Sequence, residues 1–283
     1  MTQAPMFSVI IPTYDRPTFL AEAIDSVLGQ TVQDFEVLVV DDGSPRPAQV
    51  SRDERVRLIR REHRGGEAAA RNTGLAHARG RFVCFLDDDD LYAPARLEAA
   101  AMHVDRAPLV VTWARYIGGE ESRGRWLEGD VSERILDGMT PPLGTVTIRR
   151  DVVLPFDEGF AALPDVEWWL RQSQVCRVAA ADSFCYLVRR HDGPRVGYGT
   201  AARIDCSLKL LDRHRDYFRQ HPAAASFRWK RIALMRLSVA DRGGARSALL
   251  RSLAAHPEPR TAWHLIRATL PGLGGRSDGG QRS

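Results

Sequence analysis

The sequence has no run of eighteen consecutive apolar residues, and no basic segment precedes its first apolar stretch, residues 6–11. A membrane-spanning helix and a cleaved secretion signal are therefore not expected. The chain has only four cysteines, without Cys-x-x-Cys spacing or a histidine at ligand spacing, so neither a disulfide framework nor a zinc site is predicted. These absences favour a protein of the reducing cytosol.

Charge is distributed unevenly over the 283 residues, whose net charge is +4. Residues 201–283 hold 16 basic and 6 acidic side chains, net +10, whereas the first 200 hold 24 and 30, net −6. Because this length is near the upper limit for one hydrophobic core, we expect a main domain over residues 1–200 and a basic helical extension over 201–283 with a disordered end. A solvated extension is the favoured interpretation, and contact with anionic lipid or with the acidic body is the alternative. A nucleic acid partner is not expected.

Apolar, β-branched runs alternate with helical patterns, which predicts a mainly parallel α/β sheet flanked by helices. The first strand is expected to stop at Pro12, because proline cannot continue a ladder of hydrogen bonds. The predicted strands are residues 7–11, 35–40, 56–59, 81–86, 109–113, 144–149 and 184–188. The predicted helices lie between Pro17 and Gly29, over 65–80, about 94–105 and 166–172. Residues 118–138 are interpreted as a variable loop with one helix at most, and the helical spacing beyond Thr200 predicts a hairpin or bundle.

Two acidic clusters directly follow predicted strands, Asp41-Asp42 and then Asp87 to Asp90. Ligands bind at the carboxyl ends of strands in open α/β sheets, so both clusters are expected in one crevice. Neighbouring carboxylates of the second cluster repel one another by roughly 3 kcal/mol per pair at about 5 Å and an effective dielectric of about 20. A divalent cation or raised pKa values would relieve this repulsion, and oxygen ligands suit Mg²⁺ or Mn²⁺. An exposed acidic turn before the next helix is an equal alternative.

Six segments follow one another in a fixed order: SVIIPTYDRP, VLVVDDGS, AAARNTGLAHARGRFVCFLDDDD, GTVTIRRDVVLPFDEGF, PDVEWWLR and RRHDG. Over about residues 7–195 this order resembles family 2 of the inverting, nucleotide-sugar-dependent glycosyltransferases. The resemblance implies a GT-A fold and transfer of a sugar from a nucleoside diphosphate, expected to be UDP. The acceptor would be a hydroxyl group of a glycan, a lipid-linked sugar or a small molecule, in surface glycan or glycoconjugate synthesis.

The resemblance also implies which residues bind the nucleotide. Pro12, Thr13 and Tyr14 would line the pocket of a uracil-type base. Asp41, with Asp42 beside it, would receive hydrogen bonds from the base or the ribose. Loop packing of Tyr14 and an Asx-type turn at the two aspartates are the alternatives.

The DDDD segment corresponds to the family's Asp-x-Asp-Asp motif, which makes Asp87 and Asp89 the paired acids. Asp89 would contact Mn²⁺ or Mg²⁺ directly, Asp87 would reach the ribose or a metal-bound water, and Asp88 stands at the variable position of this nucleotide-sugar site. Such a metal bridges the two phosphates and neutralises charge on the leaving group. Arg71 would lie near the nucleotide or diphosphate, with a surface helix arginine as the alternative. His191 would add a metal or phosphate contact unless it is structural.

Inversion requires a base that takes the proton of the attacking hydroxyl, a contribution typically of about 10² to 10⁴ in rate. Asp165 corresponds to the family's base, and an N-cap role for it is the alternative. Glu167, two residues further on, is the alternative candidate for the base. The family usually has glutamate immediately before the base, where this chain has Pro164. Trp168 and Trp169 are expected to pack in the core rather than stack on an acceptor ring.

Two other function classes compete with a glycosyltransferase. A nucleotidyltransferase would carry a glycine-rich segment with a basic residue directly after the first strand, but PTYDRP stands there and the first lysine is Lys209. A non-catalytic sugar-nucleotide binder is disfavoured by the presence of both Asp89 and Asp165. Around Trp263 the extension mixes apolar and basic residues, which suits either peripheral contact with the inner face of a membrane or packing on the main domain.

Overall fold

The computed structural model describes residues 4–118, 121–122, 127–189, 199–259 and 261–263. The chain divides into two compact units. The first, Met1–Ile135 with Met139–Val196, holds a mixed α/β sheet. The second, Leu136–Gly138 with Gly197–Ser283, is helical. The end of the chain, where disorder was expected, lies outside the described residues.

The first unit alternates strands and helices in chain order. Its elements are β1 Phe7–Thr13, α1 Pro17–Leu28, β2 Phe35–Asp41, β3 Val56–Arg60, α2 Glu67–His77, β4 Phe82–Phe85, β5 Leu91–Tyr92, α3 Arg96–Ala101, β6 Leu109–Tyr116, β7 Glu121–Ser122, β8 Val146–Arg149, α4 Pro164–Gln172 and β9 Val178–Val188. A short 3-10 helix, Leu143–Thr145, directly precedes β8.

The strand order of the sheet is β3-β2-β1-β4-β8-β6-β9-β5, with β7 beside β6. The pairs within β3-β2-β1-β4 are parallel, and so is β6 with β9, whereas the remaining pairs are antiparallel. The predicted parallel arrangement therefore describes the first four strands, and the later strands make the sheet mixed. The carboxyl ends of β1, β2 and β4 share one edge, which places the segments that follow them side by side.

The strand β1 continues through Pro12 to Thr13, so the predicted stop at Pro12 is wrong. The pairing of β1 with β4 ends at Ile10 and Phe85, whereas its pairing with β2 runs on to Thr13 and Asp41. Because β4 no longer pairs at Pro12, the missing N–H leaves no ladder partner unsatisfied on that side. The extra residues carry Thr13 to the edge of the sheet where the acidic clusters lie.

Helices cover both faces of the parallel strands. Val9 and Ile11 are fully buried and cluster with Leu20 of α1. Ile10 points to the opposite face, as expected for alternating strand side chains. It meets Gly74 of α2, where an added Cβ would lie only 2.4 Å from Cγ2 of Ile10. This close approach fixes α2, and with it the residues of its first turns, against the centre of the sheet.

Three predicted element bounds differ from the structure. The helix expected over about 94–105 is the shorter α3, because residues 103 and 106 donate only to carbonyls three positions back, as in tight turns. The strand expected at 144–149 begins as the 3-10 helix, where Gly144 lies against the ring of Tyr186. The last strand begins at Val178 rather than 184, since alanines that carry no strand pattern pair with β6. The described part of residues 118–138 contains β7 and turns but no helix.

The second unit consists of helices α5 Thr200–Arg213, α6 Arg215–Gln220, α7 Pro222–Ser238 and α8 Arg242–Ala255. Ile232 of α7 and Leu249 of α8 are fully buried in the core between these two helices. The side chain of Asp241 caps α8 by accepting a hydrogen bond from the backbone N–H of Gly244 at 2.8 Å. Among the described residues, no helix is long and apolar enough to cross a membrane.

Candidate functional site

The ends of β1, β2 and β4 are joined by hydrogen bonds. The backbone N–H of Asp42 donates to the carbonyl of Thr13 at 2.9 Å. The Thr13 hydroxyl then donates to Oδ2 of Asp88 at 2.7 Å. The structure thus brings both predicted acidic clusters to one edge of the sheet, as expected from the parallel topology.

Asp41 is fully enclosed at this edge. Its carboxylate accepts hydrogen bonds from the backbone N–H groups of Ser44 and Ala48 at 2.9 and 3.0 Å, and from Arg60 at 3.0 Å. Burial alone would raise the pKa of Asp41, but these hydrogen bonds and the Arg60 charge lower it overall. Asp41 has no exposed surface and orders the loop after β2, and its expected hydrogen bond with a base or ribose stays a prediction.

Asp42 also points inward. Its two carboxylate oxygens accept hydrogen bonds from the backbone N–H groups of Gly65 and Gly66, at 2.9 and 2.7 Å. The side chain is almost fully buried and pairs with Arg61 at 3.3 Å. Asp42 therefore anchors the segment that enters α2, and its predicted hydrogen bond with the ligand stays a prediction.

Of the predicted base-pocket residues, only Tyr14 is partly exposed, because Pro12 and Thr13 are buried. The guanidinium of Arg64 lies 4.0 Å from the centre of the Tyr14 ring. The next residue, Asp15, has a φ of 52°, in the left-handed region, and its N–H donates to the Ser44 hydroxyl at 3.0 Å. Tyr14 thus offers an aromatic face at a turn that the loop after β2 holds in place.

The four aspartates after β4 alternate in direction. The side chains of Asp87 and Asp89 are 40% and 21% exposed. Asp88 and Asp90 are only 6% and 7% exposed and bind inward. The cluster therefore divides into two outward acids, Asp87 and Asp89, and two that hold the turn. The expected donor contact of Asp88 stays a prediction.

Asp88 is tied to the turn after β1. Besides the Thr13 hydroxyl, Nη1 of Arg16 donates to Oδ1 of Asp88 at 2.9 Å, and the same nitrogen reaches Oδ2 of Asp89 at 2.8 Å. Burial raises the pKa of Asp88 to about 6, although Thr13 and Arg16 act in the opposite direction. Arg16 compensates part of the negative charge of the cluster.

Asp90 is held from β9. It accepts a hydrogen bond from the hydroxyl of Tyr186 and another from the backbone N–H of Arg189 at 2.8 Å. Burial, followed by the charge of Asp87, raises the pKa of Asp90 to about 7. Nε of Arg189 also donates to the carbonyl of Asp89 at 3.0 Å, so the first residue of the recognised RRHDG segment reaches the acids. His191, in the same segment, lies outside the described residues.

Arg71 connects α2 to the outward acids. It is 3% exposed, donates from Nη2 to Oδ1 of Asp87 at 2.7 Å, and donates from Nη1 to Oε2 of Glu67 at 3.2 Å. Burial opposes its charge, but Asp87, Glu67 and Asp165 together raise its pKa above the ordinary value. The alternative of a surface helix arginine is excluded. Within the described residues, Nε of Arg71 is buried without a hydrogen-bond acceptor.

Asp165 lies in the first turn of α4, close enough for its charge to act on Arg71. It is partly exposed. The N-cap residue is Leu163, with a φ of 69°, so the N-cap alternative for Asp165 does not hold. A bulky residue in the left-handed region is strained, a condition found mainly where function requires it. Glu167 is 1% exposed and receives two hydrogen bonds from Arg171 at 2.7 Å, whereas Asp165 of the same helix is partly exposed.

Trp168 and Trp169 are fully buried, and their indole N–H groups donate to the carbonyls of Leu154 and Pro141 at 2.8 and 2.9 Å. The expectation of core packing is confirmed, and stacking on an acceptor is excluded for both rings. The Trp168 ring also packs against Phe85, the last residue of β4, and so supports the strand from which the acidic turn starts.

Four residues of this site were not found by sequence reasoning. Arg16 lies within the recognised segment SVIIPTYDRP and Arg189 is the first residue of RRHDG, so the position of both in the sequence pointed to the site. Glu67 directly precedes the recognised segment that begins AAARN. Tyr186 had no signal, because a tyrosine in an apolar strand is ordinary and its partner Asp90 is 96 positions away.

A metal site made only of protein ligands is not found. Within the described ranges, no group of three or more His, Cys, Asp or Glu side chains has the arrangement of one. Asp87 and Asp89 nevertheless fit a divalent ion that is shared with a substrate, because Mg²⁺ is commonly bound by one or two carboxylates together with phosphate oxygens. Both side chains are exposed at the same turn.

Comparisons of this chain with known proteins agree on one family. Residues 8–154 match the family described as Glycosyl transferase family 2. The chain is 30% identical over 173 residues to UDP-Glc:alpha-D-GlcNAc-diphosphoundecaprenol beta-1,3-glucosyltransferase WfgD of Escherichia coli, covering 58% of this chain and 68% of that protein. It is 32% identical over 203 residues to an uncharacterized glycosyltransferase of Rickettsia felis, which is 66% of this chain but only 33% of the length of that relative.

Two solved structures share the fold at low sequence identity. S. aureus TarS 1-349 in complex with UDP-GlcNAc aligns with a TM-score of 0.67 and 19% identity, over 93% of this chain and 86% of that one. Mannosyltransferase PcManGT from Pyrobaculum calidifontis, in complex with GDP-Man and Mn2+, aligns with a TM-score of 0.54 and 22% identity, over 94% and 79%. The expected GT-A fold is confirmed.

Proposed function

The chain belongs to glycosyltransferase family 2, and from this premise we propose that it is a metal-dependent inverting enzyme that moves one sugar from a UDP-sugar to a hydroxyl acceptor. One observation carries the proposal. The outward acids Asp87 and Asp89 lie on the same edge of the sheet as Arg71, and the charge of Asp165 reaches Arg71 from another helix. This proximity supports the proposal that groups for the leaving diphosphate and for the incoming hydroxyl line one cleft.

UDP is the nucleotide that the relatives favour. TarS is described in complex with UDP-GlcNAc, and the name of WfgD contains UDP-Glc. In this chain, Tyr14 provides a partly exposed ring for the base. Arg71 carries a donor nitrogen without an acceptor among the described residues, at a guanidinium already bound to Asp87. Arginine is well suited to phosphate oxygens, so the diphosphate is proposed to lie here.

Asp87 and Asp89 are proposed to hold Mn²⁺ or Mg²⁺ together with the two phosphates. When bound, the ion would neutralise charge that develops on the departing nucleoside diphosphate. Arg16 holds Asp89 at 2.8 Å, Arg71 holds Asp87 at 2.7 Å, and Arg189 holds the backbone of the turn. These contacts keep both carboxylates outward in the absence of the ion.

Asp165 is proposed to be the base. Its carboxylate would accept the proton of the acceptor hydroxyl as oxygen attacks the anomeric carbon opposite the leaving group. Pro164 and the left-handed Leu163 fix the start of α4, which limits how far Asp165 can move. The missing glutamate of the family pattern is replaced by this rigid backbone.

The acceptor is proposed to be a lipid-linked or free saccharide. WfgD is named for a diphosphoundecaprenol-linked acceptor, which favours the lipid-linked class. The basic extension is proposed to assist by contact with the membrane surface. Trp263 is 55% exposed, which suits this role, and the basic residues around it lie outside the described residues.

Donor binding tests the proposal most simply. The full chain is heated with UDP-glucose, UDP-galactose or UDP-N-acetylglucosamine, each with Mn²⁺ or with EDTA, and release of UDP is followed in parallel. We expect one UDP-sugar to raise the melting temperature only with Mn²⁺ and to be slowly hydrolysed. Stabilisation without any UDP release would indicate a non-catalytic binder. Pyrophosphate release from UTP and a sugar 1-phosphate would indicate a nucleotidyltransferase.

A further inference from the structure

Glu67 is the first residue of α2 and stands at the cleft without having been assigned a role. The two residues before it, Gly65 and Gly66, donate their backbone N–H groups to the Asp42 carboxylate at 2.9 and 2.7 Å. The backbone that leads to Glu67 is therefore fastened to the end of β2. The backbone from which the Glu67 side chain extends therefore has a defined position beside Arg71.

The carboxylate of Glu67 is only partly occupied. Nη1 of Arg71 donates to its Oε2 at 3.2 Å, which is longer than the 2.7 Å contact of the same guanidinium with Asp87. Within the described part of the chain, Oε1 of Glu67 receives no hydrogen bond, and 56% of the side chain is exposed. Glu67 thus offers an open acceptor to whatever occupies the cleft.

Glu67 and Asp87 bind the same guanidinium of Arg71, and the charge of Asp165 acts on that guanidinium as well. Desolvation raises the pKa of Glu67; Arg71 opposes this shift, while Asp87 and Asp165 raise the pKa further. Asp87 marks the side of the leaving diphosphate, and Asp165 marks the side of the incoming hydroxyl. Inversion needs these two groups on opposite sides of the anomeric carbon, so the sugar ring itself lies between them.

From this arrangement we infer that Glu67 is a specificity-determining residue whose carboxylate accepts a hydrogen bond from one hydroxyl group of the transferred sugar. The inference rests on the proposed function. A site built to bind a hydroxyl group rejects the analogue that lacks it, because a polar group of the protein is then left unpaired. Glu67 would in this way select among UDP-sugars that share the same nucleotide and diphosphate.

The experiment compares the UDP-hexose that the wild-type chain hydrolyses with its monodeoxy analogues. We expect wild type to discriminate against one analogue by about 10-fold to 100-fold in kcat/KM, as for a hydrogen bond to a charged group. Glu67→Ala should lose about the same factor with the parent donor and discriminate against that analogue by less than about 3-fold. Affinity for UDP itself, measured by calorimetry, should stay within about 3-fold.

Glu62→Ala is the matched control, since Glu62 is an exposed acid of the same loop. Glu67→Leu keeps a side chain of similar length without a hydrogen-bond acceptor and replaces the alanine variant if that one unfolds. Equal losses with the parent donor and with all analogues, accompanied by weaker UDP binding, would overturn the inference and leave Glu67 as a support for Arg71. Failure of wild type to hydrolyse any UDP-hexose would instead contradict the proposed function, and the inference with it.

Discussion

A methyl group added at Gly144 would disturb the acidic turn through the ring of Tyr186. The Cβ of Gly144→Ala would lie 1.9, 2.2 and 2.4 Å from Cε2, Cζ and Cδ2 of Tyr186. Carbon atoms in contact are separated by about 3.5–4.0 Å, so the ring must move by about 1.5 Å. Tyr186 is 1% exposed and donates its hydroxyl to Asp90, so this movement breaks that hydrogen bond.

The two costs have known sizes. Overpacking a core costs about 1–3 kcal/mol, and losing a hydrogen bond to a charged group costs about 1.5–3 kcal/mol. We expect Gly144→Ala to lower the free energy of unfolding by about 3–6 kcal/mol, measured by urea denaturation followed through tryptophan fluorescence. Gly199→Ala is the control, because an added Cβ there meets no atom within 4 Å.

A double-mutant cycle identifies the broken bond. Tyr186→Phe alone removes the hydroxyl and should cost about 1.5–3 kcal/mol, but in the Gly144→Ala background it should cost close to nothing, since the bond is already lost. An unchanged unfolding midpoint for Gly144→Ala would refute the reasoning. A cost of Tyr186→Phe that is equal in both backgrounds would show that the methyl group acts by another route.

Three further predictions concern titration, ion pairing and the extension. The pKa of Asp90 is raised to about 7, so Asp90 should contribute a loss of up to about 4 kcal/mol of stability as pH rises from about 4 through 7. Asp90→Asn, unfolded by urea in EDTA across this range, should remove this share and leave the smaller loss that Asp88, with a pKa raised to about 6, contributes below pH 6. Arg71→Ala should lower the free energy of unfolding by about 1.5–3 kcal/mol because it removes the charged hydrogen bond with Asp87, whose partly exposed carboxylate water can then solvate, whereas the exposed Arg52→Ala should have no measurable effect in the same denaturation. Trp263→Ala should weaken co-sedimentation with anionic vesicles; equal binding would remove Trp263 from membrane contact.

The order of elements was accessible from sequence because its signals are local. Apolar runs predicted β2 and β4, and an alanine-rich segment predicted α2. The parallel topology then predicted that the acidic clusters after β2 and β4 lie close together. The length of β9 was not accessible, since its first residues, from Val178, have no strand pattern and become a strand only by pairing with β6.

The direction of each acidic side chain could not be predicted from the sequence either. Asp87 and Asp90 are each flanked by a leucine and an aspartate, yet Asp87 is 40% exposed and pairs with Arg71, whereas Asp90 is buried and held by the hydroxyl of Tyr186. Tyr186 lies on β9, which begins nearly a hundred residues later, and reaches Asp87 only at 3.4 Å. Asp41 has the sequence context of a ligand-binding acid, but Arg60 of β3 and the following loop enclose it. Acidic residues at the ends of strands predict where the crevice lies. Which carboxylate oxygen atoms face that crevice depends on contacts between segments that are distant in sequence.

The central claim is that acids from separate segments of the chain share one cleft, in which Asp165 faces the incoming hydroxyl. The variant Asp165→Asn tests this claim most directly. The variant keeps shape and removes the base, so UDP-sugar turnover, to an acceptor or to water, should fall by about 10² to 10⁴ while affinity for the donor stays within about 2-fold. The exposed Asp151→Asn, which makes the same chemical change away from the cleft, should match wild type. Unchanged turnover in Asp165→Asn, or a loss of donor affinity as large as the loss of rate, would contradict the account.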